Sequence, residues 1–475
     1  MQLNKMIIFS LLIVTVSAGC KKLVEVPEPV KSITSTETFA TIPTANAAIL
    51  AIYSDMSFGK GSSSFANCLI TIDAGMSADE LIHFGDPTNV YATNTLLSTV
   101  SGIYNLIWQP AYFDIYMANA AIEGLHNSTS LPGGFKDTLT GEAKFLRAYC
   151  YFYLINLFGD VPLLTSTDFA SNSVAPRTPS SQIYLQIIAD LKEAENILPV
   201  DYSASSGERV RATKWAAAAL LARTYLYQAK YDSAEAQATL VINNPIYYLI
   251  NPITITNNGF QKNNSEIIMQ LQTVNTNYFA TTEGNQLIPN YQNIPNPPHN
   301  VSPKYYLSSQ LLTAFELGDQ RKTAWTDTTR FNSILYYYPA KYKLRTASSF
   351  NNATEYYTLL RLAEQYLIRA EARAHNNDLG GAIADLNVIR ARAGLSPLSS
   401  SLTQAQVLTA VAQENRIEFF AEWGHRWFDL KRTGQADAVL GPIKGGNWQT
   451  TDQLYPIPQS EIDYDHNLTQ NPGYQ

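Results

Sequence analysis

One spacing of small residues occurs twice in the chain, and it constrains the fold more than any other feature. Ala222 and Tyr225 are followed by Tyr231 and then by Ala234 and Val241; Ala370 and Arg373 are followed by Leu379 and then by Ala382 and Ile389. In both stretches the alanines stand twelve positions apart, and the residue that marks the turn falls nine after the first alanine. Alanines so placed let two antiparallel helices approach closely. Each stretch therefore predicts a helix pair, and such pairs stack into a concave scaffold. The segments 105–125 with 141–158, and 182–198 with 212–229, supply further pairs.

Helical periodicity elsewhere agrees. Tyr184, Ile187, Ile188, Leu191, Ala194 and Leu198 form an apolar stripe, opened by Ser180 or Ser181 and closed before Pro199. From Glu142 to Phe158 the chain is apolar nearly all round beyond Ala148, which predicts a buried helix ended by Gly159 and Pro162. Thr403 with Gln406 is a capping box. Three stretches break the pattern: Gly59 to Thr99, residues 251–300 with twelve Asn and five Pro, and Trp325 to Tyr357. Glu266 to Leu271 reads as a short strand inside the second. The fold class is mainly α: a tetratricopeptide-like helix-pair scaffold at about 36–58, 100–250 and 358–475, in a single domain spanning 36–475. Loop-rich portions at about 59–99 and 251–357 carry a few short strands. Insertions in such scaffolds emerge on one face, so function is expected in these loops.

The first residues read as a leader. Lys5 precedes an apolar run from Met6 to Val16, and Val16-Ser17-Ala18-Gly19-Cys20 has the form of a lipoprotein box. Residues 1–19 are expected to be removed, Cys20 to carry the lipid, and 20–35, with Pro27 and Pro29, to act as an extended tether. A net charge of -7 with no basic stripe argues against nucleic acid as a partner. Three cysteines make neither a disulfide framework nor a four-cysteine zinc site, and a Cys68–Cys150 bond is left open.

A search for catalysis finds little. The six histidines form no HExxH, and there is no Walker loop, nucleophile elbow or dinucleotide fingerprint. Asp79-Glu80 is a poor glycosidase pair, because adjacent residues normally point apart. No enzyme activity, cofactor or metal is expected. Tyrosine is abundant, 29 against 19 Phe, and its apolar face with a hydroxyl suits sugar rings, although packing accounts for most tyrosines. Charged residues from Glu414 to Arg432 lie among Phe419, Phe420, Trp423, Trp427 and Phe428; they read as a structural ion-pair network, with Arg426 continuing the helical face of Glu418 and Glu422. Trp108, Tyr112, Ile115 and Asn119 read as a scaffold stripe.

Several segments together resemble the SusD/RagB family of nutrient-binding outer-membrane lipoproteins. They are Gly141 to Tyr149 continuing to Phe158-Gly159-Asp160-Val161-Pro162-Leu163, Lys214-Trp215-Ala216-Ala217 to Tyr227, and Leu360 to Gly394. Glu414-Asn415-Arg416-Ile417-Glu418-Phe419 with Arg426 to Arg432, then Leu454-Tyr455-Pro456-Ile457-Pro458 and Asn471-Pro472-Gly473-Tyr474, complete the set. The resemblance implies a lipid-anchored protein facing the cell exterior on an outer membrane. It also implies a SusC-like TonB-dependent transporter as partner and an oligosaccharide, sometimes a peptide, as ligand. By position it places ligand contacts after Asp79-Glu80 and around Tyr291, which makes His83, Phe84, Tyr91, Asn94, Tyr278, Tyr291 and Trp325 the candidates. A protein-interaction scaffold whose loops bind nothing small is the alternative.

Overall fold

A computed structural model describes residues 35–58, 65–291 and 300–474. The leader and Cys20 lie outside them, as does most of the 20–35 tether. The recurrent alanine spacing becomes two helix pairs. Helices are named here as α1 (Ile42–Phe58), α2 (Ile70–Ser77), α3 (Gln109–Asn127), α4 (Gly133–Phe158) and α5 (Ser180–Ile197), followed by α6 (Lys214–Tyr227) and α7 (Tyr231–Ile242). After the middle of the chain come α8 (Leu362–His375), α9 (Leu379–Arg392), α10 (Gln404–Glu418) and α11 (His425–Arg432). Tyr231 and Leu379, read as turn residues, open the second helix of their pairs. Ala222, Ala234, Ala370 and Ala382 are fully buried where the paired helices meet. Each helix from α3 to α9 packs on the next, and α10 packs on α8 and α9. The result is a continuous layered array.

Local signals hold. Helix α5 buries Tyr184, Ile187, Ile188, Leu191 and Ala194. Helix α4 ends with Gly159 at φ +73, its N–H donating to the Ile155 carbonyl. The Thr403–Gln406 box forms in both directions. The scaffold stripe is buried or satisfied: Trp108 is core, Tyr112 donates to the Pro162 carbonyl at 2.8 Å, and Asn119 donates to the Leu164 carbonyl at 3.0 Å. Cys68 and Cys150 are both buried and both free.

The portions expected to be loop-rich hold more structure than that. Residues 70–77 form α2, buried on nearly every side, and for that reason without a visible amphipathic period. Six strands fall in or beside these portions: β1 (Leu81–His83), β2 (Ile267–Leu271), β3 (Tyr305–Leu307), β4 (Thr326–Phe331), β5 (Ile334–Pro339) and β6 (Tyr357–Arg361). They pair antiparallel as β1–β3, β2–β6 and the β4–β5 hairpin. The hairpin corrects the reading of 325–357 as loop. Asn332 and Ser333, with φ of 47° and 67°, make the left-handed two-residue turn that matches strand twist.

The start of the described fold rests on one close approach. Phe39 is buried against α3, and a Cβ on Gly124 would lie 2.1 Å from its ring. Gly124→Ala is expected to expel Phe39 and to cost about 1–3 kcal/mol. The check is a lower urea midpoint together with faster proteolysis near residue 39.

Candidate functional site

Strands β1 and β3 and the β4–β5 hairpin assemble an aromatic row. In the register Ile82↔Tyr306 and His83↔Tyr305, with Phe84 N–H donating to the Lys304 carbonyl at 2.9 Å, Phe84 and Tyr306 fall on the same face. Strand β3 lies against β5, and the rings interlock edge to face. Phe84 meets Phe331 at 5.4 Å and Tyr336 at 5.3 Å between centroids, and Tyr336 meets Tyr306 at 5.1 Å. All four rings are half-buried. Among the described residues neither the Tyr306 nor the Tyr336 hydroxyl has a hydrogen-bond partner. Half-exposed rings with unengaged hydroxyls can stack on a sugar face and hydrogen-bond its edge.

The candidates named from sequence divide around this row. Phe84 belongs to it. Tyr291, half-buried, lies beside Tyr338, which shares a strand face with Tyr336 and donates to Asp327 at 3.0 Å. His83 projects to the opposite face, edge-on to Tyr305 at 5.0 Å. Tyr278 is half-exposed, its hydroxyl 2.7 Å from that of Thr282, with no ring contact to the row among the described residues.

Three candidates are corrected. Trp325 is 1% exposed, its Nε1–H donates to the Asn258 carbonyl at 2.8 Å, and Lys341 lies 4.6 Å over its ring. It is a core residue and offers no face to a ligand. Tyr91 packs on Tyr455 and is buried against α2, and Asn94 is buried in a left-handed cap after the turn Val90–Thr93. Local composition marked these as loop residues, but the loop folds onto the core. Tyr306, Phe331 and Tyr336 were missed. Two β runs around Asn332-Ser333 were the signal that finds the hairpin, but ring-to-ring contact depends on how separate strands come together.

An ion-pair network flanks the hairpin that carries Phe331 and Tyr336. Glu418, fully buried, accepts from Arg361 at 2.5 Å, from Arg321 at 3.2 Å and from Arg392. Burial alone pushes its carboxyl up, but Arg392, Arg361 and Arg321 outweigh that and hold it well below the usual range. Glu414 binds Arg321 at 2.8 Å and Arg390 at 2.7 Å, and Glu422 binds Arg361 and Lys341. Arg321 and Lys341 stand just before and just after the β4–β5 hairpin, so the network clamps both of its ends to α10. The expected ion-pair network is present, with one difference. The helix breaks after Glu418, where Ala421, Trp423 and Gly424 take positive φ, so Arg426 starts a new helix and turns to Asp79.

Asp79 is not poised as an acid or base. Arg426 Nε donates to it at 2.8 Å and Arg416 Nη2 at 2.6 Å. Against the upward push of burial, these two guanidiniums hold its carboxyl below the ordinary range. Glu80 is 1% exposed, and burial, with Asp79 beside it, pushes its carboxyl up to about 8.

Glu283 gives a pH prediction. It lies buried near Thr71, whose hydroxyl donates to it at 3.3 Å, and burial pushes its carboxyl up to about 8. The folded state therefore holds this proton more tightly than the unfolded chain. Its contribution is full below the unfolded value of about 4.3 and is lost as pH rises through about 8. Between pH 6.5 and 8 Glu283 therefore contributes a fall in melting temperature as pH rises. Glu283→Gln should flatten the fall; parallel wild-type and variant curves would contradict the assignment.

The comparisons with known proteins agree with this architecture. The SusD family model matches residues 321–474, and a second, described as starch-binding associating with outer membrane, matches 75–226. A SusD-like protein of Formosa agariphila is 27% identical over 98% of this chain and 99% of its own. The starch-binding protein SusD of Bacteroides thetaiotaomicron is 26% identical over 70% of this chain and 72% of its own. Among solved structures, a SusD-like protein of Bacteroides fragilis superposes with a TM-score of 0.78 at 21% identity, covering 94% of this chain and 100% of that one. A laminarin-binding SusD-like protein superposes at 0.72 with 25% identity, covering 91% and 99%. The fold defines a SusD-like helical scaffold with a loop-and-strand insertion. The chain belongs to the SusD/RagB family.

Proposed function

We propose that the protein captures an oligosaccharide at the cell surface and delivers it to a SusC-like TonB-dependent transporter. The observation that carries the capture step is the row Phe331, Phe84, Tyr336 and Tyr306, half-buried rings with two unengaged hydroxyls, two of the rings on a clamped hairpin. Tyr291 flanks it. Relatives described as starch-binding and laminarin-binding support a glycan over a peptide. Binding is passive, with uptake energy supplied elsewhere. The leader ending at Cys20 supports lipid anchoring, and among the described residues no helix is long and apolar enough to cross a membrane. The outer membrane is the expected site.

Native affinity electrophoresis of the purified protein against starch, laminarin and a panel of plant, fungal and host polysaccharides tests this reading. Retardation by at least one polysaccharide is expected. Silence across the panel, with heat released only on titrating a peptide mixture, would move the ligand class to peptides. Silence in both would favour an interaction scaffold.

A further inference from the structure

A cleft of about 650 Å³ opens between α10 and α11, away from the aromatic row. One wall presents Thr409, Ala412, Asn415 and Arg416 along about two turns of α10; the other presents Arg426 and Asp429 from α11. At the Arg416 end guanidinium donors outnumber the acceptors they meet, although the Asp429 carboxylate also acts on Arg426. Arg416 and Arg426, with side chains 17% and 12% exposed, converge on the one carboxylate of Asp79. Arg416 spends only Nη2 on it, and its Nε–H is buried without an acceptor. The neighbouring Asn415 amide meets no partner among the described residues. Burial pushes the neighbouring Glu80 carboxyl up to about 8.

The other end is satisfied within the protein. Arg432 binds Glu371 through both Nη atoms, at 2.5 and 2.7 Å, and Asp429 through Nε at 2.7 Å. Spare guanidinium donors therefore stand beside a free amide, in a cleft whose remaining lining includes Tyr227, Tyr231, His375 and the Glu371 carboxylate already bound to Arg432. A guanidinium pair with spare donors meets a carboxylate better than any neutral group. We infer that this cleft is a second saccharide site that takes a hexuronate, its carboxylate between Arg416 and Arg426 and a ring hydroxyl on Asn415.

Isothermal titration of the full-length protein in detergent with D-glucuronate and D-galacturonate tests the site. D-glucose, acetate and N-acetylglutamate serve as comparison ligands at equal ionic strength. At least one uronate is expected to bind about tenfold or more tightly than glucose, acetate or N-acetylglutamate. Arg416→Gln should weaken it about tenfold or more. Ala412 is exposed on the cleft wall, so Ala412→Trp should fill the space and abolish uronate binding while leaving polysaccharide retardation unchanged. If Arg416→Gln does not fold, Ala412→Trp decides. No uronate binding, acetate binding as tightly (an adventitious ion only), N-acetylglutamate binding as tightly, or uronate binding kept in Ala412→Trp would each overturn the assignment. Because polysaccharide retardation is read separately, failure here is distinct from failure of the capture reading.

Discussion

Glu418→Ala is expected to destabilise the protein by about 3–5 kcal/mol, the cost of removing one partner from a buried ion network. Three guanidiniums, of Arg321, Arg361 and Arg392, converge on this fully buried carboxylate. Removing it leaves the three guanidiniums one negative charge short in a fully buried site, although each keeps another carboxylate partner. Glu418→Gln keeps the shape and part of the hydrogen bonding, and should cost less. Urea unfolding followed by circular dichroism checks both. A loss under about 1 kcal/mol for the alanine variant would mean that the network relaxes or admits water, and that the hairpin does not depend on it. Because Arg321 and Lys341 flank the hairpin, protease sensitivity is expected to appear first between residues 326 and 339.

The second large effect concerns capture. Replacing Phe84 and Tyr336 together by alanine removes the middle of the row and leaves Phe331 and Tyr306 each without its ring neighbour. Affinity for the selected glycan is expected to fall about 100-fold or more, since buried aromatic anchors carry most of the energy of such sites. Both rings are half-exposed on a surface strand set, so the melting temperature should change little by comparison with Glu418→Ala. Titration calorimetry of the double variant separates the cases: unchanged affinity would place the ligand elsewhere.

What was legible in the sequence was what local periodicity and spacing write down. The twelve-position alanine spacing, the Thr403–Gln406 box and the Gly159 stop each report on contacts within a helix or between sequence neighbours, and each is present. Helix α2 was hidden because it is short and buried on nearly every side, polar residues included, so no amphipathic period marks it. The ion-pair network was visible only from one side. Glu414, Glu418 and Glu422 stood out, but their partners Arg321, Arg361 and Lys341 lie in other segments that no local pattern joins to them. The binding row fails for the same reason. Phe84 was named because it follows Asp79-Glu80, whereas Tyr306 and Tyr336 become its neighbours only once β1, β3 and β5 come together. Trp325 misled because a tryptophan beside a loop resembles a ligand platform, and only its burial under Lys341 reveals it as core.

The central claim is that the aromatic row is where a sugar chain is held. Crystals of the protein soaked with laminarihexaose, and separately with maltohexaose, test it most directly. The account predicts that one of them places a sugar ring against Phe84, Tyr306 and Tyr336, with a ring hydroxyl within hydrogen-bond distance of a tyrosyl oxygen. An oligosaccharide bound in the same crystals away from these rings, with the row left bare, would contradict it.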